Sequence, residues 1–202
     1  MDGSPEPRGN AGEGYMIAVV GPSGAGKDTL MAYAARAFAD RSDVVFVRRV
    51  ITRDAAAGGE DHDGVCETEF EKLAADGRFA VSWEAHGLRY GIPVETKHSV
   101  AQGAIVIANG SRSALGLFRD AYPNLVVINV TARPEVLAMR LEARGRESRE
   151  DILRRLKRSS LGVLGDYKVV TIDNSGEMEV SGKAIVDAVS TLLSQSFIPN
   201  EK

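Results

Sequence analysis

Cysteine is almost missing from this 202-residue chain, and the one present, Cys66, has no partner for an internal disulfide or a thiolate zinc cluster. Histidine is scarce too. His62, His86 and His98 lack the spacing of metal ligands, so a structural metal is not expected. No apolar run approaches the ~20 residues that a membrane-spanning helix needs. A dominant charge is also absent: the formal net charge of −3 gives no global attraction to nucleic acid or anionic lipid. The opening MDGSPEPRGNAGEG is polar and carries no apolar h-region, so it does not read as a secretory signal. These absences point to a cytoplasmic protein with no nucleic-acid or membrane partner. What is present, 44% hydrophobic and 26% charged residues, is the balance of one globular domain. Residues 1–14 are expected to be a disordered tail and 15–202 a single domain.

Short apolar runs alternate with helical patterns along the chain. YMIAVVG (15–21) reads as a buried strand entering a turn, and the helix formers from Lys27 to Ala39 follow it. VVFVRRVIT (44–52) reads as one strand, and TEFEKLAADG (68–77) as a short helix closed by Gly77. Residues 78–93 read as a strand, a turn and a second strand. AIVIANG (104–110) and NLVVINV (124–130) are further buried-strand runs, each followed by helical sequence. A helical stretch runs from Pro134 to about Leu164 with a break at Gly145. YKVVTIDN (167–174) supplies a last strand, and EVSGKAIVDAVSTLL a final amphipathic helix. This order predicts an α/β fold: a parallel sheet with helices on both faces.

The chemistry starts at residues 21–27. Gly21, Pro22, Ser23, Gly24, Ala25, Gly26 and Lys27 obey the phosphate-loop spacing G-x-x-x-x-G-K, between a predicted strand and a predicted helix. In that setting backbone N–H groups and the helix N-terminus face an anion and Lys27 adds positive charge, so ATP is the expected co-substrate. The position after the lysine, which ordinarily carries a magnesium-binding hydroxyl, is Asp28. Two like charges about 4 Å apart cost roughly 4 kcal/mol at an effective dielectric of 20, so a bare carboxylate beside ATP is unfavourable. A Mg²⁺ between them reverses the sign, which makes Asp28 a candidate metal ligand, with the Thr29 hydroxyl beside it. The alternative is that Asp28 only caps the helix, where the dipole favours a carboxylate.

Four stretches of the chain resemble guanylate kinases: GPSGAGKDTL, TRDAAAGGEDHDGVCETEF (52–70), WEAHGLRYGIP (83–93) and RLEARGRESREDILRRL (140–156). The resemblance implies a P-loop NTPase fold, with a small substrate-binding subregion over about 50–93 and a helical lid over about 140–158. The departures lie where those enzymes grip a nucleotide. Arg53 is kept, but Ala56 falls near the second phosphate-clamping arginine, while His62 and Arg89 replace two tyrosines. Tyr90 and Gly91 are kept, and Glu84 matches one guanine-contacting carboxylate. Ala108 and Asn109 stand where the other acidic residue is expected.

With GKD in the loop, FVRRVITR, GGEDHD, HGLRYGIP, NGSR and IDNSG, the chain more closely resembles the ribose 1,5-bisphosphate phosphokinases of phosphonate breakdown. That resemblance implies transfer of the ATP γ-phosphate to ribose 1,5-bisphosphate, a small sugar phosphate, giving 5-phosphoribosyl 1-diphosphate and ADP. An acceptor with two phosphates and no base calls for cations in place of base-reading carboxylates. Arg49, Arg53, Arg89 and Arg112 are the candidates, with His62, Glu84 and Tyr90. Arg48 and Arg49 are strand neighbours, so at most one faces the site. By resemblance, Arg140, Arg144 and Arg155 join Lys27 as catalytic cations on the transferring phosphate, and Asn174 lies beside adenine. A surface ion-pair helix and a strand-end turn are the plainer readings of these segments. The Glu60-Asp61-His62-Asp63 cluster reads either as a holder of ribose hydroxyls or a metal-bound water, or as a solvated turn. Two other readings stay open, a nucleoside monophosphate kinase and a guanylate-kinase-like binding module without turnover. So does a homodimer.

Overall fold

The structure, a computed structural model, describes residue 12, residues 14–54, 60–143, 163 and 165–196. A five-stranded parallel sheet forms its centre, in the order β2-β7-β1-β8-β9. Its strands are β1 (Tyr15–Val20), β2 (Val44–Phe46), β7 (Ile105–Asn109), β8 (Leu125–Thr131) and β9 (Lys168–Asp173). These apolar runs are nearly continuous because helices cover both faces. Alternate residues of β1 serve opposite layers. Ile17 and Val19 pack with Leu30, Ala34, Ile185 and Val189 from helices α1 (Lys27–Ala37) and α6 (Met178–Ser196). Met16, Ala18 and Val20 pack with Phe118 and Tyr122 at α4 (Leu115–Ala121), and with Val100 of α3 (Glu95–Ala101). The seven-residue α3 was not foreseen from the sequence.

The sequence predicts one strand over 44–52, but the chain divides there. β2 ends at Phe46, Val47 still donates to the Ile107 carbonyl at 2.9 Å, and β3 (Arg49–Ile51) then joins a second sheet. Two adjacent arginines do not continue comfortably in a sheet buried on both faces, and the break lets each find its own partners. The second sheet has the order β4-β3-β6-β5, with β4 (His62–Gly64), β5 (Phe79–Ala85) and β6 (Leu88–Pro93). It is mostly antiparallel, and its β5–β6 pair is the strand, turn and strand read from residues 78–93. β4, expected as a turn, pairs parallel to β3 with His62 opposite Arg49. Helix α2 (Glu67–Ala75) packs against β5. The sheets meet through aromatic rings, with Trp83 lying 5.8 Å from Phe118 of the core.

Gly14, expected in the tail, is buried. Its N–H donates to the Val100 carbonyl and its own carbonyl accepts from Asn124. A Cβ there would come within 1.9 Å of the Ala104 carbonyl oxygen, so only glycine fits at this position. The last helix described before residue 144 is α5 (Pro134–Ala143). The Gly145 break and most of the expected lid lie outside the described residues.

Candidate active site

The glycine loop sits at the carboxyl end of β1, the central strand, where ligands bind in open α/β sheets. Gly24 and Gly26 hold φ of 85° and 89°, which L side chains rarely adopt. At Gly26 a Cβ would also lie 2.4 Å from Asn174 Nδ2. The loop is braced from behind. Asn174 is buried and donates to the Ala25 carbonyl at 2.7 Å. Arg140 of α5 donates to the Asn174 carbonyl at 2.9 Å and approaches the Gly24 and Ala25 carbonyls at 3.4 and 3.5 Å. Ser23 and Thr29 are exposed at the loop and on the first turn of α1.

Lys27 folds back to donate from Nζ to the Gly21 and Pro22 carbonyls at 3.1 and 3.4 Å. Burial pushes its pKa below the usual lysine value. The charges of Asp28 and Glu60 oppose that shift, and those of Arg49 and Arg112 add to it. One ammonium therefore feels charges from its own loop and from three other segments of the chain. Arg112, on a single 3-10 turn after β7, is itself pushed to a lower pKa by burial.

A hydrogen-bonded chain runs from the loop to the second sheet. Asn109, at the end of β7, donates through Nδ2 to Asp28 Oδ1 at 2.8 Å and to Glu60 Oε2 at 2.6 Å. Both acceptors are carboxylates, so the amide nitrogen must point toward them. Glu60 then pairs with Arg49, accepting from Nε at 2.9 Å and also from Nη2. The Arg49 guanidinium lies 4.8 Å from the Tyr90 ring centroid and 5.6 Å from that of Trp83. Those two rings stack at 5.3 Å, and they occupy paired positions on β6 and β5. Arg49 is thus held by a charge-assisted fork on one edge and aromatic faces beneath, a setting that suits a guanidinium better than an ammonium.

The strand neighbours divide as alternation requires. Arg48 turns outward to Asp63 at 2.9 Å and Asp61 at 3.3 Å, and Arg49 turns inward. Beside it, His62 is buried, and its Nδ1 lies 2.9 Å from the Glu60 carbonyl oxygen. Arg53 Nη2 lies 3.3 Å from the same ring nitrogen. His62 Nε2 and Arg53 Nε are both buried without a partner among the described residues.

Two expected substrate residues are not brought into this cluster. Glu84 and Arg89 are cross-strand partners one position removed from the Trp83–Tyr90 pair, and so project from the other face. Glu84 is exposed, and Arg89 reaches Glu71 of α2 at 3.1 Å. Arg144 and Arg155 lie outside the described residues. Conversely, the sequence raises Glu60 only as part of an acidic cluster that holds ribose hydroxyls or a metal-bound water, and Asn109 is not among the candidate site residues. Glu60 could be read as part of a polar turn, and Asn109 as the loss of a family carboxylate. Neither reading shows that one amide joins them.

Among the described residues no three His, Cys, Asp or Glu side chains form a group able to hold a metal alone. Magnesium in a kinase needs only one or two carboxylates, with phosphates and waters completing its shell. Asp28, exposed on the first turn of α1 beside the anion cradle, meets that requirement. A separate cleft of about 420 Å³, lined by Ser42, Asp43, Val45, Ser99, Gln102 and Gly103 among others, lies at the opposite end of the strands. It contributes no residue to this cluster.

Phosphoryl-transfer enzymes of the P-loop class place a lysine and backbone N–H groups on the donor phosphates and face them with cations from a separate substrate region. The fold has the glycine loop and the second, smaller sheet of that class, and it is a guanylate-kinase-like P-loop kinase. A guanylate kinase from Anaplasma phagocytophilum superposes with a TM-score of 0.64 over 93% of this chain and 88% of that one, at 18% identity. A family model described as an AAA domain matches residues 17–159. The ribose 1,5-bisphosphate phosphokinase PhnN of Agrobacterium fabrum is 59% identical over 86% of this chain and 95% of its own length. The Rhizobium etli protein of the same name is 55% identical over 96% of this chain and 99% of its own. The chain belongs to the ribose 1,5-bisphosphate phosphokinase family. Membership implies use of ATP, and no described helix is long and apolar enough to cross a membrane.

Proposed function

We propose that this chain transfers the γ-phosphoryl group of ATP to the 1-phosphate of ribose 1,5-bisphosphate, forming 5-phosphoribosyl 1-diphosphate and ADP. The observation that carries this reading is the hydrogen-bonded chain Asp28–Asn109–Glu60–Arg49, which sets a guanidinium backed by Trp83 and Tyr90 beside the phosphate loop. Such a site suits an acceptor with several phosphates. Within this cluster the carboxylates Asp28 and Glu60 are tied to Asn109 and Arg49 rather than turned to a purine edge.

In the reaction an oxygen of the 1-phosphate bonds to the γ-phosphorus as the bond to the β,γ-bridging oxygen breaks, and ADP leaves. The acceptor oxygen is already ionised at neutral pH, so no general base is needed and the protein acts by positioning and charge. Lys27 moves from its carbonyl partners to the donor phosphates. Asp28 holds Mg²⁺ directly or through water, and bound Mg²⁺ neutralises charge on the phosphate oxygens. Arg49, Arg53, His62 and Arg112 receive the acceptor, with the unpartnered Arg53 Nε a ready donor to a phosphate oxygen. Trp83 and Tyr90 hold the Arg49 plane. Arg140 and Asn174 act through the loop they brace. Residues 15–202 work as one unit, with the acceptor subregion near 50–93. By family membership Arg144 and Arg155 would supply further cations to the transferring phosphate.

The test is ADP release from MgATP with ribose 1,5-bisphosphate, GMP and AMP in parallel, the product being identified by phosphorus NMR. Turnover with the sugar bisphosphate and a new diphosphate resonance is the expected result. Turnover with GMP alone overturns it in favour of a nucleotide kinase, and turnover with none favours a binding module.

A further inference from the structure

Asn109 stands at a junction that the phosphotransferase reading does not itself require. Asp28, 81 residues before it, belongs to the first turn of the helix behind the nucleotide loop. Glu60, 49 residues before it, belongs to the segment leading into the second sheet and grips Arg49. The two hydrogens of one –NH₂ group go to these two carboxylates, and the side chain is 93% removed from solvent. Its backbone is fixed in the middle of the parallel sheet, paired with Val19 of β1. An aspartate at the same point would place a third negative charge against two others. An aliphatic residue would leave both carboxylates without that partner.

We propose that Asn109 is a positioning residue that couples the nucleotide half of the site to the acceptor half, through its paired hydrogen bonds to Asp28 and Glu60. The proposal rests on the phosphotransferase reading above. When nucleotide with its metal draws on Asp28, the Asn109 amide shifts relative to Glu60, and Glu60 shifts its hold on Arg49. The acceptor then meets an arginine whose orientation depends on what the loop holds. Coupling of this kind is reciprocal, so the acceptor changes nucleotide affinity by the same factor.

The only tryptophan, Trp83, lies beneath the Arg49 guanidinium and supplies the signal. Its fluorescence is titrated with ribose 1,5-bisphosphate, first without nucleotide and then with saturating MgADP, so that no turnover intervenes. The wild-type dissociation constants are expected to differ about tenfold, within the usual range of site–site coupling. In Asn109→Ala the two constants are expected to fall within twofold of each other while both ligands still bind. Asn109→Ser, which can donate to one carboxylate only, is expected to give an intermediate ratio. A ratio in Asn109→Ala equal to the wild-type value, or no difference between the constants in the wild type, overturns the proposal. If the alanine variant does not fold, the same ratio in Glu60→Gln decides, since that change weakens the same bridge from the loop. Failure of the wild type to bind or turn over the sugar bisphosphate strikes the functional reading instead, and is thereby told apart.

Discussion

The two halves of the site are made of different materials. The proposed nucleotide half is mostly backbone: a glycine turn, the start of a helix, and carbonyls that hold Lys27. The acceptor half is mostly side chain. Arg49, Glu60, Trp83, Tyr90 and Asn109 come from β3, the loop before β4, β5, β6 and β7, and each is aimed by its neighbours. A backbone site depends on local conformation and tolerates little variation in spacing. A side-chain site depends on which face each strand presents, so single substitutions can retune it while the fold remains. The 18% identity to a guanylate kinase beside a TM-score of 0.64 is the large-scale form of the same contrast.

The largest test of this division is Lys27→Ala. It removes the charge that meets the transferring phosphate, and kcat in the ADP-release assay is expected to fall by about 10²–10³-fold. A smaller fall would place the main charge stabilisation elsewhere in the site. Arg49→Lys keeps one positive charge but loses the fork and most of the stacking on Tyr90 and Trp83. Its KM for the sugar bisphosphate is expected to rise by about tenfold to a hundredfold, with the KM for ATP within about twofold. Equal changes in both constants would erase the boundary between the halves.

Gly26→Ala probes the backbone half directly. The φ of 89° and the 2.4 Å approach of Asn174 both oppose a Cβ, so a loss of about 1–2 kcal/mol in unfolding free energy is expected, together with weaker MgADP binding. Denaturant unfolding and calorimetric titration measure the two effects. Arg89→Ala should matter least. Its guanidinium is paired at the surface with Glu71, a contact worth about 0–1 kcal/mol, so acceptor KM is expected to stay within about twofold. A tenfold rise would return Arg89 to the acceptor site and show that the sheet presents its other face when substrate is bound.

Much of this was legible in advance, for reasons that particular residues make plain. The five parallel strands announced themselves as apolar runs because both faces of that sheet are covered. The loop announced itself because glycine spacing reports backbone conformation directly. Residues 44–52 did not announce that they divide between two sheets, since Val50 and Ile51 of β3 are as apolar as Val44 and Val45 of β2 and the strands differ in their partners. The choice between Arg48 and Arg49 was undecidable from alternation until a partner strand gave the faces a meaning. The same alternation, with β5 and β6 paired, takes Glu84 and Arg89 away from the face that carries Trp83 and Tyr90.

By itself, then, the sequence determined the strand-loop-helix cradle, the buried parallel strands and the family, because each is written in local spacing or in long runs of similar residues. Tertiary structure alone decided that Asn109 joins Asp28 to Glu60 and that Glu60 holds Arg49 over two stacked rings. Those contacts cross 81, 49 and 11 residues of chain. The strands that close such distances are chosen by packing over the whole core, and nothing local to Asn109 encodes its partners.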